Sequence, residues 1–163
     1  MMTMPSVKLL SSLASAGESL KLELFEDRLA LQKVTYLLQE AGVVLGYDFT
    51  WYVRGPYSPS LTKDAYQLAG LKVDAKNLPD LDAEDKPKVA SVSDLVRGVQ
   101  AKKEGREYWL ELLASLHFVA KYLCEGQSEQ QVLVRFKLKK PKFSDDNVRE
   151  AWTLLSSHNL IRR

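Results

Sequence analysis

At 163 residues, with 45% hydrophobic and 27% charged side chains and a net charge of +2, the chain has the length of one domain and an ordinary globular composition, which excludes wholesale disorder. A chain of this size buries roughly 70% of its unfolded surface, so it needs no disulfide or metal staple, and its single cysteine, Cys124, has no internal partner. No run of 18 apolar residues occurs, which argues against a membrane span, and the expected compartment is the cytoplasm.

The N-terminal stretch Met1–Gly17 mixes Leu9, Leu10 and Leu13 with serines and lacks a basic start before a continuous apolar run. It reads as a short amphipathic helix opened by Pro5 and Ser6 and closed by Gly17, and not as a signal peptide. A stronger helix is expected from about Asp27 to Ala41. There Ala30, Val34, Leu37, Leu38 and Ala41 hold the spacing of one buried face, with Asp27 to cap the start and Gly42 the end. Phe49 to Val53 alternates apolar and polar residues and predicts a strand burying Phe49, Trp51 and Val53. Arg54-Gly55-Pro56-Tyr57-Ser58-Pro59 breaks that strand with a rigid turn. Ser58 then caps, and Pro59 begins, a helix running to about Ala69.

Residues 71–90 carry many charges and two prolines but few apolar side chains, and read as a solvated connecting segment. A short helix near Ser93–Ala101 follows, then the strongest helix, about Arg106–Leu123. Its stripe is Trp109, Leu112, Leu113, Leu116, Ala120 and Leu123. Ser128 with Gln131 forms a capping box for a helix to about Leu138, which Pro141 ends. Ser144 caps a last helix whose apolar stripe is Val148, Ala151, Trp152 and Leu155. The expected fold is thus mainly α: a single helical bundle over residues 1–163 with a small β element near 49–53.

Catalytic chemistry finds no foothold. His117 and Cys124 stand seven positions apart, roughly 10 Å along a helix axis, too far for a nucleophilic pair and too few for a zinc site. No phosphate-cradling glycine loop, Gly-x-Ser-x-Gly or His-Glu-x-x-His motif occurs. The expectation is a non-enzymatic chain with no catalytic residue, no metal and no cofactor. Two binding surfaces remain. Arg54 and Tyr57, set in the turn between two rigid elements, are candidates for protein recognition. Residues 127–163 hold eight basic and four acidic side chains, and Arg135, Lys137, Lys139, Lys140 and Lys142 fall within eight positions. The segment 128–163 has the outline of a helix-turn-helix followed by apolar Leu160-Ile161, so these five residues are candidates for contacting nucleic-acid phosphates, as a transcriptional regulator would. A solvated charge run is the competing reading of the same lysines.

The stretch Leu31-Gln32-Lys33-Val34-Thr35-Tyr36-Leu37-Leu38-Gln39, followed by Arg54-Gly55-Pro56-Tyr57-Ser58-Pro59, resembles small YwgA-like proteins of bacteria and archaea, many of them phage-associated. More distantly it is similar to the Panacea domain of antitoxins and protease adaptors. Tyr57 stands where Panacea domains usually carry a small aliphatic residue. The resemblance covers roughly residues 28–69. It implies an α-helical scaffold that binds another protein, such as a toxin, a nuclease or a complex subunit, and an antitoxin-like or accessory role in phage defence or regulation.

Overall fold

The computed structural model describes residues 3–161. Among them the protein is mainly α-helical, with seven α-helices and one two-stranded sheet. Helix α1 (Met4–Ser15) starts at Thr3, whose hydroxyl accepts from Ser6 N, and buries Leu9, Leu10 and Leu13. Helix α2 (Phe25–Glu40) starts two residues before the expected Asp27. Asp27 still serves the helix start, because its carboxylate accepts from Leu24 N one turn earlier. At the other end Gly42 has φ +109°, with Gly42 N bonded to Gln39 O and Val43 N to Leu38 O. This is the left-handed closure that a glycine permits.

The β element departs from the predicted single strand. Strand β1 (Thr50–Tyr52) pairs antiparallel with β2 (Gly55–Tyr57) in the register Thr50↔Tyr57, Trp51↔Pro56, Tyr52↔Gly55. The Gly-Pro stretch read as a strand breaker is itself a strand. Pro56 fits because it lies opposite Trp51 at a position that needs no N–H in the ladder, and Gly55, at φ +94°, supplies the left-handed residue that ends a tight hairpin turn. Val53 therefore sits in the turn, 73% exposed, while Phe49 and Trp51 are half-buried.

Helix α3 (Pro59–Leu71) begins as the sequence indicates, with Ser58 Oγ accepting from Leu61 N. The connection after it is shorter than expected. A 3-10 turn occupies Ala75–Asn77, and helix α4 (Lys86–Gln100) starts inside the segment read as solvated. Its first turn is polar and contains Pro87, which a helix tolerates at its start, so the apolar face declares itself only from Val89, Val92, Leu95, Val96 and Val99.

Helix α5 (Arg106–Phe118) is the centre of the molecule. Every residue from Trp109 to Phe118 is buried, including Glu111, Ser115 and His117. It continues as a π-helical turn, Val119–Leu123, at whose end Leu123 is 37% exposed instead of completing the apolar stripe. Helix α6 (Glu129–Lys139) carries the expected capping box, Ser128 with Gln131, and helix α7 (Asp145–Ser157) is capped by Ser144 Oγ on Asn147 N. Among the described residues no strand follows α7. Asn159 turns left-handed at φ 60°, Asn159 N bonds Ser156 O and Leu160 N bonds Leu155 O, so the chain folds back and Ile161 is buried on the core. One continuous apolar core runs from Leu9 to Ile161 and draws on all seven helices.

Candidate functional site

The first half of α2 holds the hairpin and the start of α3 in place. Gln32, buried on α2, reads the backbone of Ser58 twice. Its Nε2 donates to Ser58 O at 3.0 Å and its Oε1 accepts from Ser58 N at 2.9 Å. The same Nε2 donates to Thr62 Oγ1, which is also hydrogen-bonded to the Tyr57 hydroxyl. Lys33, next on the helix and 2% exposed, donates to Pro56 O at 2.7 Å. The outer edge of β2 is thereby satisfied by two side chains of one helix, in place of a third strand.

Gly55 lies directly against α5. A Cβ on it would stand 2.1 Å from Ser115 Oγ, which no real side chain tolerates. Its neighbours bring the turn to Glu111, the one carboxylate inside the buried stretch of α5. Arg54 Nη1 lies 3.1 Å from Glu111 Oε1, Lys140 Nζ 3.1 Å from Oε2, and Lys142 Nζ within 2.9 Å of both oxygens. Lys140 also donates to Val53 O at 2.7 Å. Burial pushes the Glu111 carboxyl up, but the hydrogen bonds and charges of Lys142 and Lys140 outweigh it and hold the group below its usual range. Lys33 experiences the reverse. Burial pushes its ammonium down to about 7, Glu111 opposes, and the cations Lys140 and Arg54 reinforce the depression.

A groove of about 450 Å3 opens beside this junction, between the start of α2, the hairpin and the first turns of α3. Phe25, Tyr52, Val53 and Tyr66 line it and are each more than half exposed. The Arg54 guanidinium stands 5.2 Å over the Phe25 ring, and the Tyr52 and Tyr57 rings lie 5.6 Å apart. Arg54 and Tyr57, the two turn residues singled out in the sequence, thus line one cavity with Gln32 and Lys33 of α2.

No family model matches this chain, and no curated protein matches it significantly.

The basic run is divided by the fold. Lys140 and Lys142 neutralise Glu111, and Lys137 pairs with Asp145 at 3.2 Å and donates to Phe143 O. Lys139 and Arg135 are exposed, and Lys139 lies 5.9 Å from the Trp51 ring centre. Gln32, Lys33 and Glu111 were not named as site residues from the sequence. Glu111 had a signal, as a lone carboxylate between Leu110 and Leu112 in the strongest apolar helix. His117 and Cys124 do not form a pair: the imidazole bridges the Tyr36 hydroxyl, at 2.6 Å, and Leu160 O, at 3.0 Å.

Proposed function

We propose that this chain is a non-enzymatic protein-interaction module, antitoxin-like or an accessory subunit of a phage-defence or regulatory system, whose partner seats a segment in the groove between α2, the hairpin and α3. The observation that carries this reading is the apolar rim. Phe25, Tyr52, Val53 and Tyr66 are exposed together around one concavity, where a surface without a partner would scatter such side chains singly. The scaffold beneath them is rigid, since Gln32 and Lys33 lock the hairpin and α3 to α2. The similarity of Leu31-Gln32-Lys33 and Gly55-Pro56 to YwgA-like and Panacea proteins supports the same reading, and these residues act as determinants of the groove's shape.

Nucleic-acid binding through Arg135, Lys137, Lys139, Lys140 and Lys142 is the weaker alternative, because three of the five spend their charge on carboxylates of the same chain. Phosphate neutralisation would give a steep salt dependence that Lys139→Glu makes shallower, by about one contact's share of the slope or somewhat more.

The deciding experiment expresses the tagged chain from its own locus with the proteins encoded beside it and compares wild type with the double variant Phe25→Ser, Tyr66→Ser. Wild type is expected to retain a partner that the double variant loses while its melting curve stays within a few degrees. Equal retention by both proteins, or no partner on the wild type, overturns the reading.

A further inference from the structure

Charge along the groove is one-sided. Three cations line it, Arg28, Lys33 and Arg54, and no aspartate or glutamate does. Among the described residues two of the three have only backbone carbonyls as hydrogen-bond partners: Arg28 Nη1 donates to Leu22 O and Glu23 O at 2.8 and 3.1 Å, and Lys33 donates to Pro56 O. Among the described residues neither has a carboxylate within ion-pairing distance. Arg54 has one, but Glu111 is shared with Lys140 and Lys142, so one negative charge answers three positive ones before Lys33 is counted. Of the three groove cations only Lys33 is buried, and burial without a matching anion is what lowers its pKa to about 7; an incoming anion relieves that cost and holds the proton on the amine. Of the charged groups acting on Lys33, Glu111 of α5 is the one that favours its ammonium form, while Arg54 of the hairpin and Lys140 after α6 oppose it. The position is short of negative charge.

Resting on the interaction reading above, we infer that the groove takes an extended peptide segment of the partner in which an aspartate or glutamate sits beside a bulky apolar residue. The carboxylate meets Arg28, Lys33 and Arg54, and the apolar side chain packs among Phe25, Tyr52 and Tyr66. The apolar wall selects a peptide over a bare phosphate. A phosphate would engage the cations and leave the rings exposed, whereas an acidic residue with a hydrophobic neighbour uses both. Arginine's planar fork suits a carboxylate, and the groove's volume lies in the ~300–1,000 Å3 range of sites that enclose a small ligand or a few side chains.

The test selects binders from a phage-displayed random peptide library on the immobilised protein, with the Phe25→Ser, Tyr66→Ser variant as counter-selection. Enriched peptides are expected to pair Asp or Glu with Leu, Phe or Trp. The best of them, made synthetically, is expected to lose roughly tenfold or more in affinity when its acid becomes the amide, as removal of a charge-assisted contact does. Arg54→Gln, at a half-exposed position, and Arg28→Gln are each expected to weaken the acidic peptide similarly and the amide peptide severalfold less, with melting curves recorded alongside. Neutral or basic consensus sequences, indifference to the amide replacement, absence of enrichment, or displacement by inorganic phosphate at comparable concentration each overturn the inference. A neutral consensus together with partner loss in the rim variant sinks the charge assignment alone. Undiminished partner retention by the rim variant sinks the interaction reading itself.

Discussion

Gly55 shows how one residue is fixed by two independent demands. Its φ of +94° costs an L-residue about 1–2 kcal/mol, and its Cα faces Ser115 Oγ with no room for a methyl group. Ser115 Oγ is buried without a hydrogen-bond partner among the described residues, so it contributes crowding and little else. Gly55→Ala is therefore expected to cost about 2–5 kcal/mol, strain and overpacking together. Ser115→Ala alone should cost less than about 1 kcal/mol. In the double variant the worst clash is gone while a 3.3 Å approach to Ser115 Cβ and the backbone strain remain, so part of the loss should return. Urea denaturation of the four proteins closes the cycle; strict additivity would show that the hairpin does not press on α5 as described.

Between elements, the organising contact is Glu111 with Arg54, Lys140 and Lys142, which ties α5 to the hairpin turn and to the segment after α6. Glu111→Gln keeps the shape but leaves Lys140 buried without a counter-charge. The expected loss is about 3–5 kcal/mol, read from the urea midpoint. Glu111 stood out in the sequence but its partners did not, because they lie 29 to 57 positions away and a run of lysines looks the same whether it is solvated, bound to phosphate or folded onto a carboxylate. What was legible is local. Ser58, Ser128 and Ser144 announce their helices because a cap is a contact within three residues, and the stripe of α7 is visible because burial there repeats with the helix turn. Helices α2 and α5 are buried without a break from Leu29 to Leu38 and from Trp109 to Phe118, so their apolar stripes mark only part of what is covered. The second strand was missed for the opposite reason. Gly55 and Pro56 are poor strand formers, and the extended conformation is held by the pairing with β1 together with Lys33 on Pro56 O and Gln32 on Ser58 N, both more than twenty residues earlier. The start of α4 was missed because a polar first turn resembles a loop.

Across the whole molecule, His117 joins three distant parts: α2 through the Tyr36 hydroxyl, α5 on which it sits, and the turned-back end through Leu160 O. A carbonyl only accepts, so Nε2 carries the proton and Nδ1 receives the Tyr36 hydroxyl hydrogen; the imidazole is neutral. Burial pushes its pKa from 6.5 down to about 4, against the raising influence of Glu40 and of the Leu160 carbonyl. The unfolded chain thus takes up a proton on this group at a pH where the folded protein does not. Its contribution is fully present above about pH 6.5 and is lost as pH falls through 4, amounting at most to roughly 3 kcal/mol. Carboxylates begin to titrate at the lower end of that window, so the contribution is isolated by difference. His117→Gln, which cannot be protonated, is expected to be less stable than wild type at pH 7 and to close that gap steadily as the pH approaches 4. The closure should be accompanied in wild type by faster amide exchange at Leu160 and Ile161, because a charged imidazole favours the open, solvated end of the chain. Parallel stability curves for the two proteins between pH 7 and 4 would mean that His117 is not buried as a neutral bridge, and the placement of Leu160 and Ile161 against α5 would fall with it.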